Sequence, residues 1–381
     1  MPQLTTPSVE AGSTLGDRLR SARIAAGLST RVLAERLAPR LKLSHATLAN
    51  YERSATSPSL EVVALIAAEL DRPLEWFLHT GKMLRNVRYR HRKSLVTQTA
   101  QVQFEFAAQT WLDAYLYVEG KAREPLSKVA KKRVEDIEGK TPEQRAKSTR
   151  RLCELSEEEP VISVPRVMER FGVRVIEVDT QEAIDGLAGL FGDEPVVALA
   201  RGLDGDRGRI NAAHELGHVV AGDVHDEVES PEAHVNAFEF ASHLLMPTTV
   251  LKRAIERKSM VHLVEVKKQY GISLAAMVFR AQKLGYLSDA EAKAIWIEFA
   301  KRGWKQREPG RVAPDRALRF EILFERAIAL GQVTVEEVSV RSGVSVTDLK
   351  KRLAEPIGFV DEPAPQAGKV EPHGLRLVRQ A

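Results

Sequence analysis

RINAAHELGHVVAG, residues 209–222, is the stretch on which the reading of this chain turns. On a 3.6-residue helical turn, His214 and His218 project from one face, with Glu215 beside them. Two imidazoles at that spacing can grip one metal ion, and a carboxylate next to them reaches a water on that ion; the pattern points to zinc. The flanking residues favour a helix. Ile210, Ala213, Leu216 and Gly217 give it an inner face, Val219, Val220 and Ala221 carry it on, and Gly222 is a natural stop. Two surface histidines that happen to flank a glutamate are the plain alternative, so the motif draws its weight from context.

Zinc that keeps one position open for water needs a third protein ligand. Downstream lies PEAHVNAFEFASHLLMP, residues 231–247. His243, further along, is expected to be a supporting or surface group.

The whole chain sets the frame. Its 381 residues are 44% hydrophobic and 28% charged, which suits two or three globular domains. No apolar run approaches the roughly 20 residues of a membrane span, and the start MPQLTTPSVEAGST has neither the basic nor the apolar part of a secretory signal, so the expected compartment is the cytoplasm, with no membrane partner. Cys153 is the only cysteine, which rules out an internal disulfide and suits a structural thiol. The net charge is +4, but basic residues crowd between Lys82 and Lys93 and between Lys128 and Arg133.

Residues 15–80 alternate short amphipathic helices with tight connections. One runs from Leu15 to Ala26; Ser29 caps a second to Leu37; Ser44 caps a third to Arg53; a fourth covers Leu60 to Leu70; Pro73 opens a short fifth. From Thr97 to Glu157 the pattern is helical and charged, with Phe104, Phe106, Trp111 and Leu112 as a helix-packing stripe, and it reads as a linker. Short strands follow at Val173–Val178, Leu187–Phe191 and Pro195–Ala200, so that a small sheet packs against the metal helix.

Two resemblances follow from these residues. GDRLRSARIAAGLSTRVLAERL with LSHATLANYERSATSPSLEVVALIAAELDRPLEWFL resembles the Cro/C1-type (XRE) helix-turn-helix family, through Leu33-Ala34, Tyr51-Glu52 and the turn Ser57 to Leu60. That likeness implies double-stranded operator DNA as a partner, a possible homodimer, His45, Thr47 and Asn50 facing bases, and Arg53 on a phosphate. The basic run from Lys82 would add phosphate contacts. The connection APRLKLS is about four residues longer than usual in that family, and Thr30 stands where many relatives carry glutamine.

The HELGH helix, the flanking RGRINAA and Ala237, Phe240, Ala241, Leu244, Leu245, Met246 and Pro247 resemble the ImmA/IrrE metallopeptidases. Residues 273–310 continue that likeness through a Gly-Trp pair and Arg-Glu-Pro-Gly. Counting back from Pro247, the family's ligand glutamate falls on His234 and its asparagine on Phe238, so the resemblance makes His234 the first candidate for the third ligand. Glu232 or Glu229 is an alternative third ligand if the helix begins earlier or shifts register, and a degraded site that holds metal poorly is the remaining reading. The resemblance implies a zinc endopeptidase with Glu215 as the catalytic base, cleaving a partner repressor in a stress, phage or mobile-element response. The alternative is a non-catalytic transcription factor whose peptidase fold senses a ligand, metal or partner.

The fold expected is mainly α with a small β-sheet. A disordered start (1–14) precedes a five-helix Cro/C1-type domain (15–80), then a basic and helical linker (81–157) and an α+β zincin-like metallopeptidase domain (158–312). A C-terminal helical module (313–355), in which GVSVTDLKKRL echoes a second helix-turn-helix or a partner-docking unit, and a flexible tail (356–381) complete it.

Overall fold

The computed structural model describes residues 14–78, 82–91, 96–130, 132–180, 184–226 and 230–355. The tail from 356, residues 1–13, Glu229 and the end of the basic run lie outside them.

The first five helices are α1 (Leu15–Ala25), α2 (Thr30–Leu37), α3 (His45–Glu52), α4 (Leu60–Glu69) and α5 (Leu74–Leu78). A hydroxyl starts each of the first four: Thr14, Ser29, Ser44 and Ser59 accept from the amides of Asp17, Val32, Thr47 and Val62. Each such cap contributes about 1 kcal/mol by giving an orphan helix amide its acceptor. Leu19, Leu33, Leu37, Leu48, Val63, Ile66 and Trp76 close inward as one core.

The linker expectation fails in two places. Leu84–His91 is a strand, β1, and it is followed by a 25-residue helix, α6 (Gln98–Ala122), that is central to the molecule. Beyond α7 (Leu126–Val129), α8 (Pro142–Leu152) and α9 (Val164–Arg170) come β2 (Arg174–Val178), β3 (Ile184–Phe191) and β4 (Glu194–Ala200). The sheet order is β1-β3-β4-β2, with β1 and β4 antiparallel to β3 and β2 parallel to β4. β3 starts three residues before the expected Leu187, because Ile184 and Gly186 pair with β1 and Gly186 with β4. Asp185-Gly186 looks like a turn in sequence and is held as strand by pairing on both sides.

β1 also corrects the reading of the basic run. Arg88 is buried and donates to the carbonyls of Asp223 (2.9 Å) and Asp226, and Arg85 donates to the carbonyl of Gly192 at 2.9 Å. Both cations tie the sheet edge to its neighbours, and buried Arg88 is thereby withdrawn from any phosphate.

Helices cover both faces of the sheet. α10 (Gly205–Ala221) and α11 (Pro231–Leu245) lie on one face, with Ala212, Leu216, Val219, Phe240 and Leu244 packed on Ala188, Leu190 and Val197. The other face meets α6 through Phe104, Leu112 and Tyr115, together with Phe320, Phe324, Val338 and Leu349. Those last four come from α16 (Arg319–Ala329), α17 (Val335–Ser342) and α18 (Val346–Ala354), which follow a four-helix segment α12 (Thr248–Glu256), α13 (Met260–Tyr270), α14 (Leu274–Lys283) and α15 (Asp289–Lys301). Residues 313–355 are therefore part of the central core and not a separate module. The apolar face of the GVSVTDLKKRL segment packs on α6 and the sheet, where Val344 and Leu349 are buried.

α6 joins the halves. Ala100, Phe104, Ala108, Leu112 and Tyr115 face the sheet, while Phe106 enters the N-terminal core. At that junction Trp76 Nε1 donates to Asp113 (3.3 Å), Gln109 donates to the same carboxyl (2.8 Å), and Gln109 Oε1 accepts from the amide of Leu84 at the head of β1 (2.8 Å). Arg72 on the N-terminal side donates to the carbonyl of Gly343 at 2.6 Å. Burial pushes the Asp113 carboxyl from its ordinary 3.8 to about 6, against the pull of its hydrogen bonds and Arg18. The folded chain then binds this proton more tightly than the unfolded chain, so its contribution to stability falls as pH rises from near 4 to near 6. Asp113→Asn is expected to flatten that slope. Urea midpoints of both proteins at pH 4.5 and 7.5 check this.

Candidate metal centre

α10 carries the HELGH residues with the predicted faces. Ala213 and Leu216 turn into the core, Ile210 packs beside it, and the helix ends at Gly222 in the left-handed conformation at φ 82°. His214, Glu215 and His218 are 3%, 0% and 1% exposed. Glu215 lies against β3, where a Cβ added at Gly186 would come within 3.6 Å of its Oε1.

α11 crosses α10 at Gly217. A methyl group there would meet Ala237 Cα and its carbonyl oxygen at 2.9 Å, inside any real contact. The glycine of the motif thus lets the two helices touch backbone to backbone, and His234, one turn before Ala237, arrives beside His214 and His218. The far end of α11 is held by cations on its last carbonyls. Arg150 donates to Leu244 O (2.7 Å), and Arg280 donates to Ser242 O (2.9 Å) and Met246 O. This satisfies acceptors that a helix C-terminus leaves open. The LLMP segment therefore serves to seat α11, and with it His234.

The three imidazoles form one cluster, with a ligand atom of each within 4.8 Å of the others. His214 Nε2 is 3.1 Å from His218 Nε2 and 3.3 Å from His234 Nδ1. A ring nitrogen has one in-plane lone pair or one proton, so it cannot make two good hydrogen bonds at once. A shared cation resolves this. Zinc–nitrogen bonds of about 2.0–2.1 Å at a tetrahedral angle put ligand atoms roughly 3.3–3.4 Å apart, close to these separations. The donor set fits zinc.

Asp223, which the sequence reading missed, completes the arrangement. Its Oδ2 is 3.0 Å from His218 Nδ1, so the carboxylate draws the proton to Nδ1 and leaves Nε2 as a lone pair toward the other histidines. The signal was present as an acid just past the helix-ending Gly222.

The other candidates fall elsewhere. Glu232 is exposed in the first turn of α11, outside the cluster, and Glu229 lies outside the described residues. His243 accepts from Arg280 at 2.8 Å, and burial with that neighbouring cation lowers its pKa to about 4, so it is a neutral part of the α11 seat. Cys153 ends α8, half-buried, and burial pushes its thiol up.

His214 and His234 line a cleft of about 1860 Å³. One wall carries Tyr89 and Asp185 from the sheet; the other carries Trp296 and the segment from Trp304 to Val312. Glu308 of the Arg-Glu-Pro-Gly stretch explains that second wall. It accepts from the amides of Leu274 (2.7 Å) and Ala275 (2.9 Å) and from Lys267 (2.8 Å), which also pairs with Asp206 at the start of α10 (2.7 Å).

In the N-terminal domain, α3 presents its predicted residues outward: His45 and Arg53 are exposed and Thr47 and Asn50 half-buried, while Leu48 anchors the helix. Thr47 lies 2.8 Å from the capping hydroxyl of Ser44, and Arg53 donates to Asn50 Oδ1 at 2.7 Å. Asn50 and Arg53 are thus one unit before any DNA arrives.

Residues 19–77 match the helix-turn-helix family, and residues 168–282 match the IrrE N-terminal-like domain of the M78 peptidases. A search of curated proteins finds no matching relative. The M78 match accords with a metal, typically zinc, at the histidine triad, and no described helix is long and apolar enough to cross a membrane. The chain thus carries an XRE-type helix-turn-helix domain fused to an IrrE/ImmA-like M78 peptidase-family domain.

Proposed function

We propose that this chain is a DNA-binding regulator whose second domain is a zinc endopeptidase acting on a partner repressor. The observation that carries the reading is the cluster of His214, His218 and His234 around one point, with Glu215 on the same helix face. His214, His218 and His234 would hold the zinc, which would supply Lewis acidity to a peptide carbonyl and the attacking water. Glu215 would take a proton from that water and return it to the leaving amine. Asp223 keeps His218 in the tautomer that bonds the metal. The cleft, at about 1860 Å³, has room for a polypeptide segment.

The helix-turn-helix domain implies operator DNA, with His45, Thr47, Asn50 and Arg53 at the interface, and holding the protease near a DNA-bound target raises the effective concentration of one for the other. Asn50→Ala is expected to cost about 1–3 kcal/mol of discrimination at one base pair. Arg53→Ala should weaken all duplexes alike and reduce the salt slope by about one, while also freeing Asn50. Binding to duplexes selected from a random pool, titrated at several salt concentrations, distinguishes the two.

The direct test is to incubate zinc-loaded protein with candidate repressors and read products by mass spectrometry. Cleavage at one site, abolished in Glu215→Gln, is the expected result. DNA binding without cleavage by metal-loaded protein would favour the sensing role instead.

A further inference from the structure

The metal face of α10 continues toward its N-terminus with a residue that the reaction outlined above does not use. Asn211 lies three positions before His214 and four before Glu215, so it shares their face. It is 1% exposed and lines the cleft, yet among the described residues neither Oδ1 nor Nδ2 has a hydrogen-bond partner. Buried carboxamides without partners are rare, because each unpaired atom has given up its water for nothing. A leucine of similar size would fill the same space without that cost. Beside it, Arg207 pairs with Asp185 of β3 at 2.6 Å, and both also line the cleft, so this end of the floor is polar as well as closed.

We infer that Asn211 is a substrate-binding residue that takes the main chain of an extended polypeptide, its Nδ2 donating to a peptide carbonyl and its Oδ1 accepting the peptide N–H. The inference rests on the peptidase reading. A carboxamide offers one donor edge and one acceptor, the complement of a peptide unit, and it carries no charge that would compete for the metal or select particular side chains. The size of the cleft agrees. At about 1860 Å³ it exceeds the roughly 300–1,000 Å³ of a small-molecule pocket. Recognition through the main chain lets the site accept a protein segment by its conformation, leaving side-chain choice to the aromatic wall at Trp296 and Trp304.

The test uses the full chain loaded with zinc and a library of capped octapeptides, with cleavage read by mass spectrometry and the best substrate carried into steady-state kinetics. Asn211→Leu is expected to raise KM by about 10-fold or more with kcat within about twofold, the pattern of lost uniform binding. Equilibrium binding of the same peptide to Glu215→Gln should weaken by a similar factor when Asn211→Leu is added. Zinc content should not change, and Tm should stay equal or rise, since an unpaired polar group has been removed. An unchanged KM in a variant that still cleaves would overturn the Asn211 role alone, as would a Tm lower by several degrees, which marks a structural partner. If the wild type holds zinc and cleaves no library member, the peptidase reading falls and this inference falls with it.

Discussion

Glu215→Gln is expected to lower kcat by about 10²- to 10⁴-fold and to leave zinc in place. The reason is a division of labour along one helix face. His214 and His218 carry the ring nitrogens that meet His234, whereas Glu215 points past them to β3, where it lies against Gly186. Glutamine keeps the shape of that side chain and its packing, but it cannot take up a proton. The variant should therefore melt near the wild-type temperature, bind substrate, and fail at turnover. Zinc content and single-turnover cleavage, measured on one preparation, check both halves of the expectation. Loss of zinc together with activity would instead make Glu215 a ligand.

Gly217→Val should do the opposite, removing metal by a change that touches no ligand. The new side chain would drive into Ala237 Cα and O, which already lie 2.9 Å from the position of a Cβ. Relief requires α11 to move away from α10, and His234 travels with it. Overpacking of this kind costs about 1–3 kcal/mol, and zinc affinity should fall by at least the roughly 10- to 100-fold expected on loss of a residue that merely orients a ligand. Gly208→Ala is the control on the same helix, because a methyl group there meets only Leu203 Cβ at 3.8 Å. It should stabilise the helix by about 0.5–1 kcal/mol and leave zinc alone. Zinc titration against a competing chelator, with urea denaturation of both variants, gives the comparison.

The parts of this molecule legible in its sequence are those fixed by local chemistry. The hydroxyl caps Ser29 and Ser44, the HELGH spacing and the stop at Gly222 each act within one turn of chain, and the structure has them where the sequence points. The position of His234 was also readable, since the LLMP register sets how far it lies from the end of α11. What stayed hidden depends on partners distant in sequence. β1 looks like a solvated basic run because its arginines find carbonyls of Asp223, Asp226 and Gly192 that only the fold supplies. α6 looks like a charged linker because its inward stripe is one side of a helix whose other side meets a different domain. The 313–355 helices look independent because their partner, the far face of the sheet, lies more than a hundred residues upstream. Asp223 was overlooked for a related reason: its role appears only once Gly222 has turned the chain back on His218.

Three imidazoles holding one zinc should be visible in zinc K-edge absorption of the purified full chain, reconstituted with one equivalent of zinc. Three nitrogen ligands and one oxygen at about 2.0–2.1 Å are expected. One imidazole signal should vanish and affinity collapse in His234→Ala, with recovery in His234→Glu. A chain that binds no zinc, or a spectrum unchanged by His234→Ala, would contradict this ligand set.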